Sequence, residues 1–279
     1  RRNARILRKA VADAGRPGMF ILNNAPTSDA TIAMYNEENG LRQTDPVSVG
    51  LLSEMKISYD EMKRVAFALD YGSPRGSAHS AVIGGFSGGP DTAVIVAVAG
   101  GLMALTAGYG QYVRPGTVHN RIQSRACLPC IWTAALACEA FSRNSHVATD
   151  NGDHPAAGPG TKQYFYELAA YQIATVTAGA HSKGGTRKFV IGRTEDFGTP
   201  LESRWLGEIC KASAGIKRDH ANDIIKKLLQ KYEDKLMDAP EGYTFQQLYD
   251  LKRDKPRKEY SKMYSEIRTE FEEMGLKFD

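Results

Sequence analysis

Between Thr149 and Pro155 the sequence reads TDNGDHP, the densest collection of reactive side chains in the chain. Asp150, Asn151, Asp153 and His154 place two carboxylates, an amide and an imidazole within five residues. Such a set can do general acid–base work, because imidazole titrates near neutrality and a carboxylate accepts a proton or offsets a cation. Donors of these kinds can also hold a metal. With nothing bound, the same residues make an Asx-turn with solvated side chains. Asp150, Asp153 and His154 are the catalytic candidates and Asn151 a substrate-binding candidate; no residue is assigned to a metal.

A second feature is the run GGFSGGPDTAVIVAVAGGLMAL, from Gly84 to Leu105. It reads as the end of an apolar strand, a glycine-rich turn and an apolar helix, with Pro90 suited to the helix's first turn. Gly84, Gly85, Gly88 and Gly89 leave the backbone bare, so a ligand can approach main-chain N–H groups; tight strand–helix packing explains the same glycines. Arg114 can make paired hydrogen bonds to a carboxylate or phosphate, or pair with a neighbouring Asp. Asn23 ends the apolar run MFILNN and completes the substrate-binding candidates. His119 reads as a loop histidine and His79 as structural, while Arg187 and Lys188 read as exposed. CLPC, with Cys127 and Cys130, has redox or metal spacing but no second pair. Its segment RACLPCIWTAALAC reads as a buried helix in which cysteine acts as a small hydrophobe.

These groups need elements to position them. Residues 2–13 are amphipathic and helical, and GRPG at 15–18 breaks that helix. Residues 19–24 read as a strand. Asp45–Pro46 signals a short helix near 49–54, and Ser58 with Glu61 forms a capping box for a helix over 58–69. Strands at 81–83, 111–113 and 146–149 alternate with helices at 91–105, 124–142 and 162–180. Strand starts roughly 30–35 residues apart fit βα repeats in a parallel sheet or barrel. With the strand at 19–24 they make about half of an eight-fold TIM-type (β/α)8 barrel. In such a barrel the strand C-termini share the catalytic face. Helices at 201–212, 219–237 and 255–274 follow; the last has a charged, solvated face. No linker splits the chain, so residues 1–279 read as one domain.

The chain has 279 residues, 42% hydrophobic and 24% charged, an ordinary globular composition. A net charge of +4 without a basic, aromatic-interleaved stripe argues against nucleic acid. No apolar run reaches a membrane span uninterrupted. Four cysteines in this length do not make a disulfide framework and fit a reducing cytoplasm. The sequence opens on RRNARILRK without a methionine, so it is expected to be a piece of a longer protein.

Five segments then follow in a telling order: GRPGM (15–19), SEMKIS (53–58), GGFSGG (84–89), AAGPGT (156–161) and APEGYTFQQLYDLK (239–252). In order and spacing the chain resembles the monomethylamine:corrinoid methyltransferases, matching the C-terminal part of that longer family. The resemblance implies the α/β TIM-barrel fold, with an N-terminal part upstream and the C-terminal helices appended to the barrel. It implies methyl transfer from a methylated amine to the Co(I) of a corrinoid (cobamide). A separate corrinoid protein carries that cofactor, so this chain itself is expected to bind none. A homo-oligomer is expected too.

The family's pyrrolysine falls near Leu22 or Asn23 of this sequence, its two site glutamates near Ser48 and near Ala78 or His79, and its site glutamine and tyrosine near Gly152 and His154. None of these residue types is kept. Concerted replacement implies a pyrrolysine-independent route to a changed substrate, or a lost activity. A site without the pyrrolysine electrophile needs a methyl donor that is already cationic, which Asp150 and Asp153 can stabilise while His154 shuttles a proton. The alternatives are a barrel lyase or hydrolase using Asp150, Asp153 and His154, and a non-catalytic homologue whose cavity Phe20 and Leu22 fill.

Overall fold

The computed structural model describes residues 2–22, 25–36, 38, 40–186 and 198–278. In chain order they form α1 (Arg2–Asp13), α2 (Ser28–Tyr35), β1 (Val47–Gly50), α3 (Tyr59–Tyr71), β2 (Arg75–Ile83), α4 (Pro90–Thr106), β3 (Tyr112–His119), α5 (Leu128–Asn144), β4 (Ala148–Asp153), α6 (Lys162–Thr177) and β5 (Ser182–Thr186). After these come α7 (Pro200–Ser213), α8 (Arg218–Tyr232), a 3-10 turn at Glu233–Lys235, α9 (Phe245–Leu248), β6 (Tyr249–Asp250), β7 (Lys255–Pro256) and α10 (Lys258–Glu273). The first five strands are hydrogen-bonded in chain order, with β1–β2 and β4–β5 parallel. This is the α/β class that the alternation of short apolar runs and helices predicts. No described helix is long and apolar enough to cross a membrane.

Contacts gather the chain into two compact units, Arg1–Ser80 with Val98–Pro115, and Ala81–Ala97 with Gly116–Asp279. In the first, Ile21, Tyr35, Leu41, Val47, Val49, Val65 and Ala68 form the core. Tyr35 packs against Phe67 and Tyr71 with ring centroids 5.5 and 5.2 Å apart. Asp45 organises this unit from the inside. Its buried carboxylate accepts the N–H of Ile21 at 2.8 Å and of Arg42 at 2.6 Å, and pairs with Arg8. A helix near 49–54 therefore does not form. Asp45 caps no helix, because tertiary partners consume its carboxylate, and the alternating VSVG becomes β1 instead. Residues 19–22 are not a strand either. The capping box at Ser58 is half made. Ser58 Oγ accepts the Glu61 N–H at 3.2 Å, but the Glu61 carboxylate takes the N–H of Gly50, at the end of β1, at 3.0 Å.

The second unit is built around α6, in which every residue from Tyr164 to Thr175 is buried. Trp205 of α7 donates from Nε1 to the carbonyl of Phe165 at 3.1 Å and meets the Phe271 ring edge-on at 5.0 Å. Helix α10 buries Tyr260, Tyr264, Ile267 and Phe271, and its other side carries exposed pairs such as Lys162–Glu266 at 3.0 Å. The segments AAGPGT and APEGYT lie back to back. Gly158 N–H donates to the Pro240 carbonyl at 2.8 Å and Tyr243 N–H to that of Pro159 at 2.9 Å. A Cβ at 158 would stand 1.6 Å from the Glu241 carbonyl oxygen, so only glycine fits.

Candidate functional site

The strands are longer than their apolar cores suggest. β2 runs from Arg75, β3 on to His119 and β4 through Asp153. Two expectations change as a result. Most of TDNGDHP is strand rather than the loop after it. Arg114 lies inside β3, third of eight residues, rather than in a turn at the strand's end; Pro115 and Gly116 are strand residues too.

Along β4, side chains alternate between faces. Asn151 turns to the helices. Its amide donates to Cys138 Sγ at 2.7 Å, its Oδ1 accepts from Tyr171 at 3.1 Å, and its carbonyl accepts from Gln172 at 3.2 Å. Fully buried and hydrogen-bonded, Asn151 holds the sheet to α5 and α6. Asp150, the preceding residue, takes the opposite face and is buried there. Asp153 closes β4 with its Cα in register with Thr186 of β5.

One residue at this end of the strands escaped the sequence reading. Arg125 is 5% exposed. Its Nη1 donates to the Gly152 carbonyl at 2.6 Å, and its backbone N–H donates to the His154 carbonyl at 3.0 Å. Both Nη atoms lie 3.0 Å from where a Cβ on Gly116 would be. Glycine in two neighbouring strands thus admits a guanidinium. Ser124 Oγ adds a 2.8 Å hydrogen bond to the His154 carbonyl. Arg125, Gly152 and His154 therefore meet at the C-terminal end of β4. A lone arginine ahead of a helix carries no motif; the strand glycines were the available signal.

The glycine loop after β2 closes on itself. The N–H groups of Gly84, Gly85, Ser87 and Gly88 bond to the carbonyls of Gly88, Val82, Val82 and Gly85 at 2.8, 3.2, 3.2 and 3.1 Å. Gly84 and Gly88 have φ of +73° and +69°, which other residues rarely adopt. A Cβ on Gly85 would sit 2.8 Å from Val82. Three of the four glycines are thus accounted for by turn geometry, and their N–H groups are taken up within the loop. Gly89 alone opens onto empty space. Phe86 at the loop's tip is 69% exposed.

Neither His79 nor His119 is poised as a ligand. His119 Nδ1 accepts the N–H groups of Arg121 and Ile122 at 3.2 and 3.3 Å, capping its own turn. Burial, and then the Arg121 charge, hold its pKa below the usual range. His79 stands within β2 and faces α4, its Nδ1 2.2 Å from a would-be Cβ on Gly100. Its Nε2 lies 3.4 Å from the Ser53 carbonyl, and burial lowers its pKa. Among the described residues no group of three or more His, Cys, Asp or Glu is arranged around a metal position. Phe20, expected to fill a closed cavity, is 61% exposed. Asn23, Asn24, Arg187 and Lys188 lie outside the described residues.

The order of these elements can now be set beside known proteins. The sequence model of the monomethylamine methyltransferase MtmB family matches residues 1–276. The chain belongs to the MtmB family. It is 31% identical over 275 residues to monomethylamine methyltransferase MtmB2 of Methanosarcina acetivorans, covering 98% of this chain and 60% of that protein. MtmB1 of Methanosarcina barkeri is 30% identical over the same proportions. The crystal structure of a hydroxylamine MtmB complex superposes with a TM-score of 0.92 at 30% identity, over 99% of this chain and 60% of that one. The Methanosarcina barkeri MtmB crystal structure gives 0.90 at 29%. The chain spans 60% of the length of these relatives.

Proposed function

We propose that this chain is the C-terminal part of a methyltransferase built on a (β/α)8 barrel. It moves a methyl group from a cationic methylated amine to the corrinoid of a separate protein by a route that does not use pyrrolysine. The MtmB match over residues 1–276 carries this reading. The pyrrolysine-free route rests on the family's pyrrolysine falling near Leu22 or Asn23, neither of which is pyrrolysine.

The corrinoid, held by the partner, supplies a nucleophilic Co(I) and accepts the methyl group. The C–N bond breaks with its electron pair left on nitrogen, so the departing amine is neutral only if the donor was a cation. Asp150, buried in β4 two residues before Gly152, offsets that charge, and Asp153 is assigned to the same role from the sequence. His154 follows β4 and holds or passes the proton of a protonated amine. Gly89 and the helix start behind it leave room for the donor. The exposed ring of Phe86 offers an apolar contact to the corrinoid protein. Co(I) chemistry and unpaired thiols suit a reducing cytoplasm, and a homo-oligomer accords with the family resemblance.

The test uses the full-length protein with a Co(I) corrinoid protein and a panel of methylated amines, with corrinoid methylation followed by absorbance. Methylation from a quaternary or protonated amine is the expected result. No methylation from any donor, with a corrinoid protein shown to be competent with another methyltransferase, would overturn the reading in favour of a non-catalytic homologue.

A further inference from the structure

The second unit holds a pair of thiols that the proposed reaction does not use. Cys127 is the N-cap residue of α5, Pro129 lies in the first turn, and Cys130 comes three residues after the cap. Side chains three apart on a helix start roughly 5–6 Å apart, within the reach of a disulfide. Both thiols are buried, and they stand close enough for each to shift the other's pKa. The backbone is tied on either side of this turn, at Ala126 and at Cys130. Thr117 Oγ1 donates to the Cys130 carbonyl at 3.0 Å and Tyr232 to the Ala126 carbonyl at 2.8 Å.

We propose that Cys127 and Cys130 form a reversible dithiol–disulfide couple at the head of α5, with Cys127 the attacking sulfur and Cys130 the resolving one. Three observations assign the roles. The helix N-terminus favours negative charge on the cap residue. The neighbouring Cys130 thiol lowers the Cys127 pKa, against burial and the nearby Glu233 carboxylate. The Cys127 sulfur, with burial, raises that of Cys130. Access to Cys127, which is 1% exposed, comes through the first turn, where Leu128 is 51% exposed. The Leu128 N–H is held only by Glu233, at 3.1 and 3.2 Å, and a helix end opens at low cost.

The oxidant is a disulfide such as glutathione disulfide. The Cys127 thiolate attacks one of its sulfurs, forming a mixed disulfide and expelling one thiolate. Cys130 then loses its proton to solvent and attacks Cys127 Sγ, expelling the second thiolate. Two protein thiols and one glutathione disulfide become one protein disulfide and two glutathiones.

The test equilibrates the folded full-length protein with glutathione buffers of increasing oxidation, quenches with acid, alkylates and maps the peptides. Cys127 and Cys130 are expected to leave the alkylated pool together, in one two-electron transition, as a single linked peptide. Cys138, bonded to Asn151 and pushed up to about 12, stays reduced as the internal control. Cys130→Ser should halt at a glutathione adduct on Cys127, formed about tenfold faster than any adduct on Cys130 in Cys127→Ser. Serine is a favoured N-cap, so Cys127→Ser should keep the fold. If Cys130→Ser unfolds by circular dichroism, the wild-type linkage map decides alone. Two cysteines that stay reduced in glutathione disulfide, or that link only after unfolding, would overturn the proposal.

Discussion

The side-chain amide of Asn151 donates to the thiol of Cys138 at 2.7 Å, where β4 packs on α5. That one bond divides the TDNGDHP segment into two roles. Residues on the helix side of β4 hold the layers together. Asp150 takes the other side of the strand, with Arg125 and His154 close to Gly152.

Asn151→Ala should therefore damage stability rather than turnover. It leaves the Tyr171 hydroxyl without its buried acceptor and removes the donor to Cys138. A buried group stripped of its partner costs about 1–3 kcal/mol. Urea unfolding should show that loss, while activity per folded molecule of the full-length enzyme stays near wild type. Unchanged stability with activity abolished would restore Asn151 to the substrate site.

Gly158→Ala tests the backbone seam between the two family segments. The added Cβ would collide with the Glu241 carbonyl, which belongs to rigid backbone. The expected loss is about 2–4 kcal/mol. Hydrogen exchange should rise at the Gly158 and Tyr243 amides, which cross the seam, before it rises in α6. Equal protection in mutant and wild type would mean that the seam carries no weight.

Much of the helical frame was legible. Helices α1, α3, α5, α6 and α10 lie within a few residues of their sequence spans because caps, breakers and apolar stretches are local signals. β1 was misread because two partners of Asp45, Arg8 and Ile21, come from elsewhere in the chain. β2 was cut short because RGSAHS looks polar, although His79 packs tightly against Gly100. β4 was cut short for the same reason: Asn151 is a tolerable strand residue only because Cys138, Tyr171 and Gln172 satisfy it. The site suffered most. Its strongest organiser, Arg125, is visible only through Gly116 and Gly152, and nothing local links those three residues.

Glu202 gives a pH signature away from the site. The Thr199 N–H and the Tyr260 hydroxyl both donate to its carboxylate, yet burial raises its pKa above the usual value of 4.5. The native state thus binds this proton more tightly than the unfolded chain does. Its contribution is most favourable below 4.5 and is lost as pH rises from there through the folded value. Glu202→Gln should remove that fall, so its urea midpoint should gain on wild type between about pH 4 and 7. A gap between the two proteins that stays constant across that range would rule the effect out.

Asp150 carries the clearest test of the proposed chemistry. In the full-length enzyme, Asp150→Asn keeps the volume and removes one negative charge from the buried end of β4. A cationic donor then loses an attraction that strengthens as water is excluded. kcat/KM for a quaternary or protonated amine should fall about tenfold or more, through a transition state that no longer finds its counter-charge. Arg125→Lys is the companion variant. Lysine cannot reproduce the planar fork that reaches Gly152 over Gly116, so β4 should shift at its end and kcat should fall about 10²-fold. The two losses differ in kind. Asp150→Asn should discriminate among donors by charge, whereas Arg125→Lys should slow every donor alike. If Asp150→Asn slows all donors equally, its carboxylate supports the strand end and does not face the substrate.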